Sequence, residues 1–409
     1  MQISMKEKQT LQELAKAYAE LAAHPAQEER RVRAQEINDL TPRRPIVWLD
    51  ELPWHEMDID GALTLTCESP EAREMEWHFR SNLYRWKYIQ ADTVFANEYS
   101  ITKKFTSTGT GLQIQEETLS TDDSNHIISH YYADQLDTME KVAAIQTPDI
   151  TAHPEDDQRR VTTAQEILGD ILPVKLRGHW LYHAPWDRIP RYRGVIPVMS
   201  DLIDNPDLLH ATIRKFTDIA LVTMKRMEAL GLYEASPERL HCTPAFTKDL
   251  PHTEPAKLKG IWFRAMAQMF TEISPAMWEE FELQYVKPLM AECGLVYYGC
   301  CESLANKIPL LKTIPNLRKI GVSPWTNPES CAEQIGGDYV YAHKPSPALV
   351  SGTFDADAVR AEIKRVIETC LKNKCAYEFV LKDISTCSYK PDNLINWVKT
   401  VGETIDEYY

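Results

Sequence analysis

The 409-residue sequence lacks any apolar run of the roughly 18 residues that a membrane helix needs. Its opening stretch is amphipathic, with no signal-peptide core or cleavage pattern. A cytoplasmic protein with no membrane partner is therefore expected. Positive charge is also short, with 45 Lys and Arg against 60 Asp and Glu, for a net charge of −15. A nucleic-acid surface needs clustered basic residues, so no nucleic-acid partner is expected. The same balance disfavours an anionic membrane surface but leaves room for a local basic pocket. Nine cysteines are too few for a disulfide framework, so each is a small apolar residue, a ligand or a nucleophile. No Gly-x-Gly-x-x-Gly and no P-loop is present, which counts against an open nucleotide-binding sheet. Apolar residues are not scarce: at 44% they exclude disorder as the main state.

What is present alternates. Residues 4–22 carry Leu11, Leu14, Ala15, Tyr18, Leu21 and Ala22 at helical spacing, and a charged stretch follows. This predicts an N-terminal helical extension over 1–40 and a main domain over 41–409. Short β-rich runs fall at 46–49, 93–98, 174–177, 260–263, 295–299, 318–322, 339–343 and 377–382. Several are continuous and apolar, as buried parallel strands are. Helical stretches lie between them, opened by Asn205-Pro206, Ser274-Pro275, Asp355 and Pro391-Asp392. Eight strands alternating with helices predict an α/β fold, a (β/α)8 TIM barrel. Residues 100–165 are polar and hold His126, His130, Tyr131 and Tyr132. They read as an insertion after an early strand, a small β element that could cover the mouth.

Barrel chemistry sits at the C-terminal ends of the strands. Asp50 and Glu51 end the first run, and Cys300, Cys301 and Glu302 follow the run at 295–299. His343 and Lys344 end another, and Lys382-Asp383 ends the last, with Cys387 four residues on. Cys300 and Cys301 are either two small buried residues or metal ligands; adjacent strand residues face opposite ways, so both serve only if the backbone turns. Asp383 is either a site residue or a helix cap, and Cys387 a second sulfur or an incidental one. Glu302 is a ligand, a general base or a helix N-terminal charge. Trp180 and Trp186 follow a strand end and, with Trp325 and His343, are candidates to hold a substrate at the mouth. His241-Cys242 is set aside as a metal pair because neighbouring side chains diverge. The helix carrying Met75, Phe79, Tyr84 and Trp86 reads as core.

The C-terminal part resembles the uroporphyrinogen decarboxylase superfamily, in a branch common in anaerobic bacteria. The pieces that carry this are Ser274-Pro275 with Met277, Glu280-Phe281, YYGCCE at 297–302, IPNLR at 314–318, Val322-Ser323-Pro324-Trp325, Lys344-Pro345, Pro347-Ala348 and Leu381-Lys382-Asp383. The resemblance is dense over 200–409, and RRPIVWLDELPW at 43–54 is compatible with it. It implies a (β/α)8 barrel. It implies either porphyrinogen decarboxylation or methyl transfer by zinc enzymes that work with corrinoid proteins. The Arg-rich N-terminal signature of the decarboxylases, which resembles MRQAGRY, is absent, which disfavours tetrapyrrole decarboxylation. The methyltransferases use a His-x-Cys and a later Cys as zinc ligands. Here the first Cys falls at Cys300 or Cys301, the His at Tyr298 or Gly299, and the later Cys near Asp383 or Cys387, so one ligand is missing.

The expectation is an O-demethylating methyltransferase acting on a small methylated substrate such as a methyl ether. Its metal would be zinc held by Cys300, Cys301, Asp383 and Cys387, with Glu302 and Asp383 catalytic. Cobalamin would enter only through a partner corrinoid protein, and a homodimer is compatible. The alternatives are a metal-free decarboxylase or lyase acting on an acidic substrate, or a non-catalytic binding member.

Overall fold

The computed structural model describes residues 3–120 and 128–409; His126 lies outside them. Seven strands form one sheet: β1 (Val47–Leu49), β2 (Leu181–His183), β3 (Trp262–Ala265), β4 (Leu295–Tyr298), β5 (Leu317–Val322), β6 (Val340–His343) and β7 (Ala376–Leu381). Their order is β1-β7-β6-β5-β4-β3-β2, and every pairing is parallel. Register is continuous across the last strands, with Val322 opposite His343, His343 opposite Phe379, and Leu49 opposite Leu381. No ladder joins the edge strands β1 and β2 among the described residues, so the sheet is barrel-like but not closed.

The strands are apolar on both sides because each face has its own core. Phe263, Val296, Tyr298, Ile320, Tyr341 and Phe379 face outward into the large core shared with the helices. Trp262, Leu295, Tyr297 and Ala342 face inward and pack together, as do Trp48 and Val380 with Cys242. The helix Pro206–Ala229 covers the outer face with Leu209, Ile213, Phe216 and Met224. It ends before Gly231, whose φ of +64° suits a helix stop. In Ala356–Lys372, Asp355 accepts the Asp357 and Ala358 N–H groups as the cap. At the N-terminus Ser4 and Glu7 form a capping box for Met5–Ala22. That helix shares a second core with Phe79, Tyr99 and Leu168, apart from the sheet. No described helix is long and apolar enough to cross a membrane.

Two expected barrel strands are corrected. Residues 93–98 form no strand. The edge of β1 is met instead by Asp92, which accepts the Val47 N–H at 2.8 Å and donates its own N–H to the Val47 carbonyl at 2.7 Å. Val174–Arg177 is a strand but pairs with Tyr99–Thr102 outside the main sheet. Its Val-Lys-Leu-Arg alternation does not suit burial on both faces. Leu181–His183, not expected as a strand, takes the place beside β3. Within 100–165, Phe105–Ser107 pairs with Ile150–Ala152, and Glu116–Leu119 with Ser129–Tyr132, both antiparallel.

Candidate functional site

Two backbone turns build the site. Arg239–Leu240 and Thr243–Pro244 form a short antiparallel hairpin whose turn is His241-Cys242. The hairpin reaches into the barrel: Leu240 packs with the inward residues Trp262 and Tyr297, and the Thr243 hydroxyl donates to Glu378. His241 is left-handed, at φ +50°. This conformation is costly for a residue with a Cβ and concentrates at functional sites. The turn removes the strand alternation that would send the two side chains apart. At the end of β4, Gly299 has φ +97°, and a Cβ there would lie 2.4 Å from Leu304 Cδ1. Only glycine fits this bend, which carries Cys300 inward.

The ligand atoms of His241, Cys242 and Cys300 consequently lie within 4.8 Å of one another. Both sulfurs are buried. Glu302 fixes this corner from behind. One carboxylate oxygen accepts the Cys300 N–H at 2.8 Å and the other the Ala267 N–H at 3.1 Å. It holds two strand ends together rather than joining the ligand group.

A carboxyl pair flanks the cluster. Asp383 Oδ2 accepts from the Cys301 thiol at 2.6 Å and from Lys382 Nζ at 2.7 Å. The Asp383 N–H donates to Glu51 Oε2 at 3.0 Å. Both acids are left-handed, with φ +52° at Glu51 and +55° at Asp383. Burial and the neighbouring Asp383 push the Glu51 carboxyl up to about 7. Burial opposes the Asp383 charge, but the Glu51 hydrogen bond and the Lys382 ammonium outweigh it and hold that carboxyl down at about 2. Glu51 is therefore the member of the pair that titrates near neutral pH, while Asp383 stays ionised.

Cations surround the sulfurs. Lys344 Nζ donates to Cys242 Sγ at 3.5 Å, and the Arg264 guanidinium lies 4.0 Å over the Tyr297 ring. Burial pushes the Cys242 thiol up, against the pull of Lys344. At Cys300 the Cys242 thiol pulls down, but the Cys301 thiol and burial together raise it. Burial, then the Arg264 and Lys382 charges, lower His241 to about 3, so its imidazole is neutral with a free lone pair.

The expected site residues separate. Cys300, Cys301 and Asp383 come together, and Trp180 stacks on His241, with 6.4 Å between ring centroids and 27° between planes. Trp325 follows β5 and is 73% exposed. Three placements are corrected. Trp186 is buried on the helix side, with Nε1 donating to the Phe281 carbonyl at 3.0 Å. His343 points outward, 3.3 Å from Glu362, because its register on β6 puts it beside Tyr341 rather than Ala342. Cys387 is buried in the helix-side core, its Sγ 3.9 Å from Met57 Sδ and its N–H donating to Glu56.

His241, Cys242 and Arg264 are at the mouth although the sequence pattern does not place them there. His241-Cys242 lies in a two-residue turn, which does not obey the strand alternation that sends neighbouring side chains apart. Arg264 had a signal, a lone charge in the apolar run IWFRAM. Glu51, Lys344 and Lys382 followed candidate strand ends without being assigned roles.

No family model matches the sequence, and no curated protein matches it. The fold is similar to that of a methyltransferase from Methanosarcina mazei. The match covers 93% of this chain and 99% of that chain, with a TM-score of 0.51 and 13% identity, which establishes likeness of fold.

Proposed function

We propose that this chain is a methyltransferase that takes a methyl group from a small methylated substrate, such as a methyl ether, and passes it to a corrinoid protein. The observation that supports this is the His241, Cys242 and Cys300 ligand group at the C-terminal end of a barrel-like sheet. One imidazole and two thiols suit zinc, and three protein ligands leave a fourth position open. Zinc bound there would supply Lewis acidity toward the substrate heteroatom.

The chain's own residues do the rest. Trp180 and Tyr182 flank His241 and give the substrate an apolar wall. Lys344 sits on the Cys242 sulfur and favours its thiolate. When the methyl leaves for the corrinoid, the electron pair of the broken bond stays on the heteroatom. Glu51, whose carboxyl is raised by burial and by Asp383, is the acid that would return a proton to this atom. Glu302 keeps Cys300 in place.

The second reading, a metal-free lyase on an acidic substrate, is favoured by the cations Arg264, Lys344 and Lys382 around the mouth. An anaerobic assay with reduced free cobalamin as acceptor and methoxyarenes as donors separates the two. Methylation of the cobalamin with release of the phenol is expected from zinc-loaded protein. Carbon dioxide release from an acid without any methylated cobalamin would replace this reading with the lyase.

A further inference from the structure

Arg264 stands in β3 beside Tyr297 of β4, one layer below the sulfur ligands, and is fully buried. Its Nη1 donates to the Ala265 carbonyl. Among the described residues its Nε and Nη2 have no partner, and neither has the Tyr297 hydroxyl. Buried donors are almost always paired, so three orphans in one place call for an acceptor. Nε and Nη2 share one edge of the planar guanidinium, the edge that grips a carboxylate with two parallel hydrogen bonds.

The charge balance points the same way. Lys319 is answered by Glu378, and Lys382 by Asp383 and Glu51. No carboxylate among the described residues pairs with Arg264 or Lys344. Among the described residues Lys344 Nζ donates only to the Cys242 sulfur, and it lies 5.6 Å from the Tyr297 ring centre. A zinc ion held by two thiolates and a neutral imidazole would be neutral overall. It would leave both of these cations unanswered.

We infer that the Arg264 edge, with the Tyr297 hydroxyl and the Lys344 ammonium, binds a substrate carboxylate, so the methyl donor is a small methylated carboxylic acid. The carboxylate sits at the Arg264 layer and the methylated heteroatom lies toward the ligand group above it. The methylated part of this inference rests on the methyl-transfer reading; the carboxylate site does not.

The test is calorimetric titration of the zinc-loaded full chain with matched probes. These are para-methoxybenzoate against para-methoxybenzyl alcohol, and methoxyacetate against methoxyethanol. At least one acid is expected to bind tenfold or more tighter than its alcohol, as a site built around buried donors discriminates. Arg264→Lys keeps the charge but loses the fork, and should weaken the acid about tenfold while leaving the alcohol unchanged. The wild-type comparison stands even if the variant fails to fold. Equal binding of acid and alcohol overturns the inference. So does binding of neither acid, undiminished binding to Arg264→Lys, or binding of inorganic phosphate in place of both acids. The two proposals fail separately. Tight binding of para-hydroxybenzoate with no methyl transfer from its methyl ether sinks the methyltransferase and keeps the carboxylate site. Methyl transfer from neutral ethers at the same KM as from acids does the reverse.

Discussion

The barrel interior holds two buried charged clusters that obey opposite rules. In the lower one, Lys319 Nζ lies 2.9 Å from both oxygens of Glu378, and Thr243 bonds to each partner. Every charge there is answered by the chain itself. In the upper one, Arg264 has two unpaired donors, Tyr297 has a free hydroxyl, and Lys344 faces a sulfur. Left-handed Glu51, His241 and Asp383 add backbone strain on the same side. A satisfied buried network fixes the hairpin to the sheet. An unsatisfied one, on neighbouring strands with Tyr297 in register with Lys319, is what a protein keeps for a ligand.

The sharpest break of that comparison is Glu378→Ala, which strands Lys319 without a partner. It should cost about 3–5 kcal/mol of stability in urea unfolding. A loss below about 1 kcal/mol would mean the lower cluster is not structural. Glu51→Gln comes next: it should slow demethylation about 10²-fold while leaving zinc content unchanged. A full rate in this variant removes the carboxyl pair from the chemistry. Arg264→Met should change stability by no more than about 1 kcal/mol, because two of its donors are unpaired in the free protein. Destabilisation as large as that of Glu378→Ala would erase the distinction between the clusters.

The smallest effect is a pH dependence at Asp187, just past the end of β2. Asp187, held by Gln268 at 3.0 Å, is pushed up to about 6, chiefly by burial. Its folded value lies above the unfolded one of about 4. Its stabilising share is thus complete below about pH 4 and lost as pH rises through about 6. Asp187→Asn should flatten the pH dependence of thermal unfolding over that window.

Much of the fold was legible because buried parallel strands announce themselves. The runs at 295–299, 318–322 and 377–382 lie within a residue of β4, β5 and β7. The first half was less so. Val174–Arg177 has strand composition but the wrong alternation, and Leu181–His183 is three residues long and flanked by aromatics that read as a loop. The site was half legible. Cys300 and Asp383 follow strand ends, where the fold places chemistry. His241 and Cys242 were missed because they sit on a hairpin between strands, and only its entry into the barrel brings them to Cys300. Cys387 and Trp186 drew attention by residue type, yet their contacts are those of a helix-side core.

The methyl-transfer reading stands on a metal centre built on His241, Cys242 and Cys300. Zinc content of the purified chain, measured by mass spectrometry for the wild type and for Cys300→Ala, His241→Ala and Cys387→Ala, tests it most directly. Stoichiometric zinc is expected in the wild type and in Cys387→Ala, and its loss in the other two. A wild type without zinc, or zinc kept by Cys300→Ala and lost from Cys387→Ala, would contradict it.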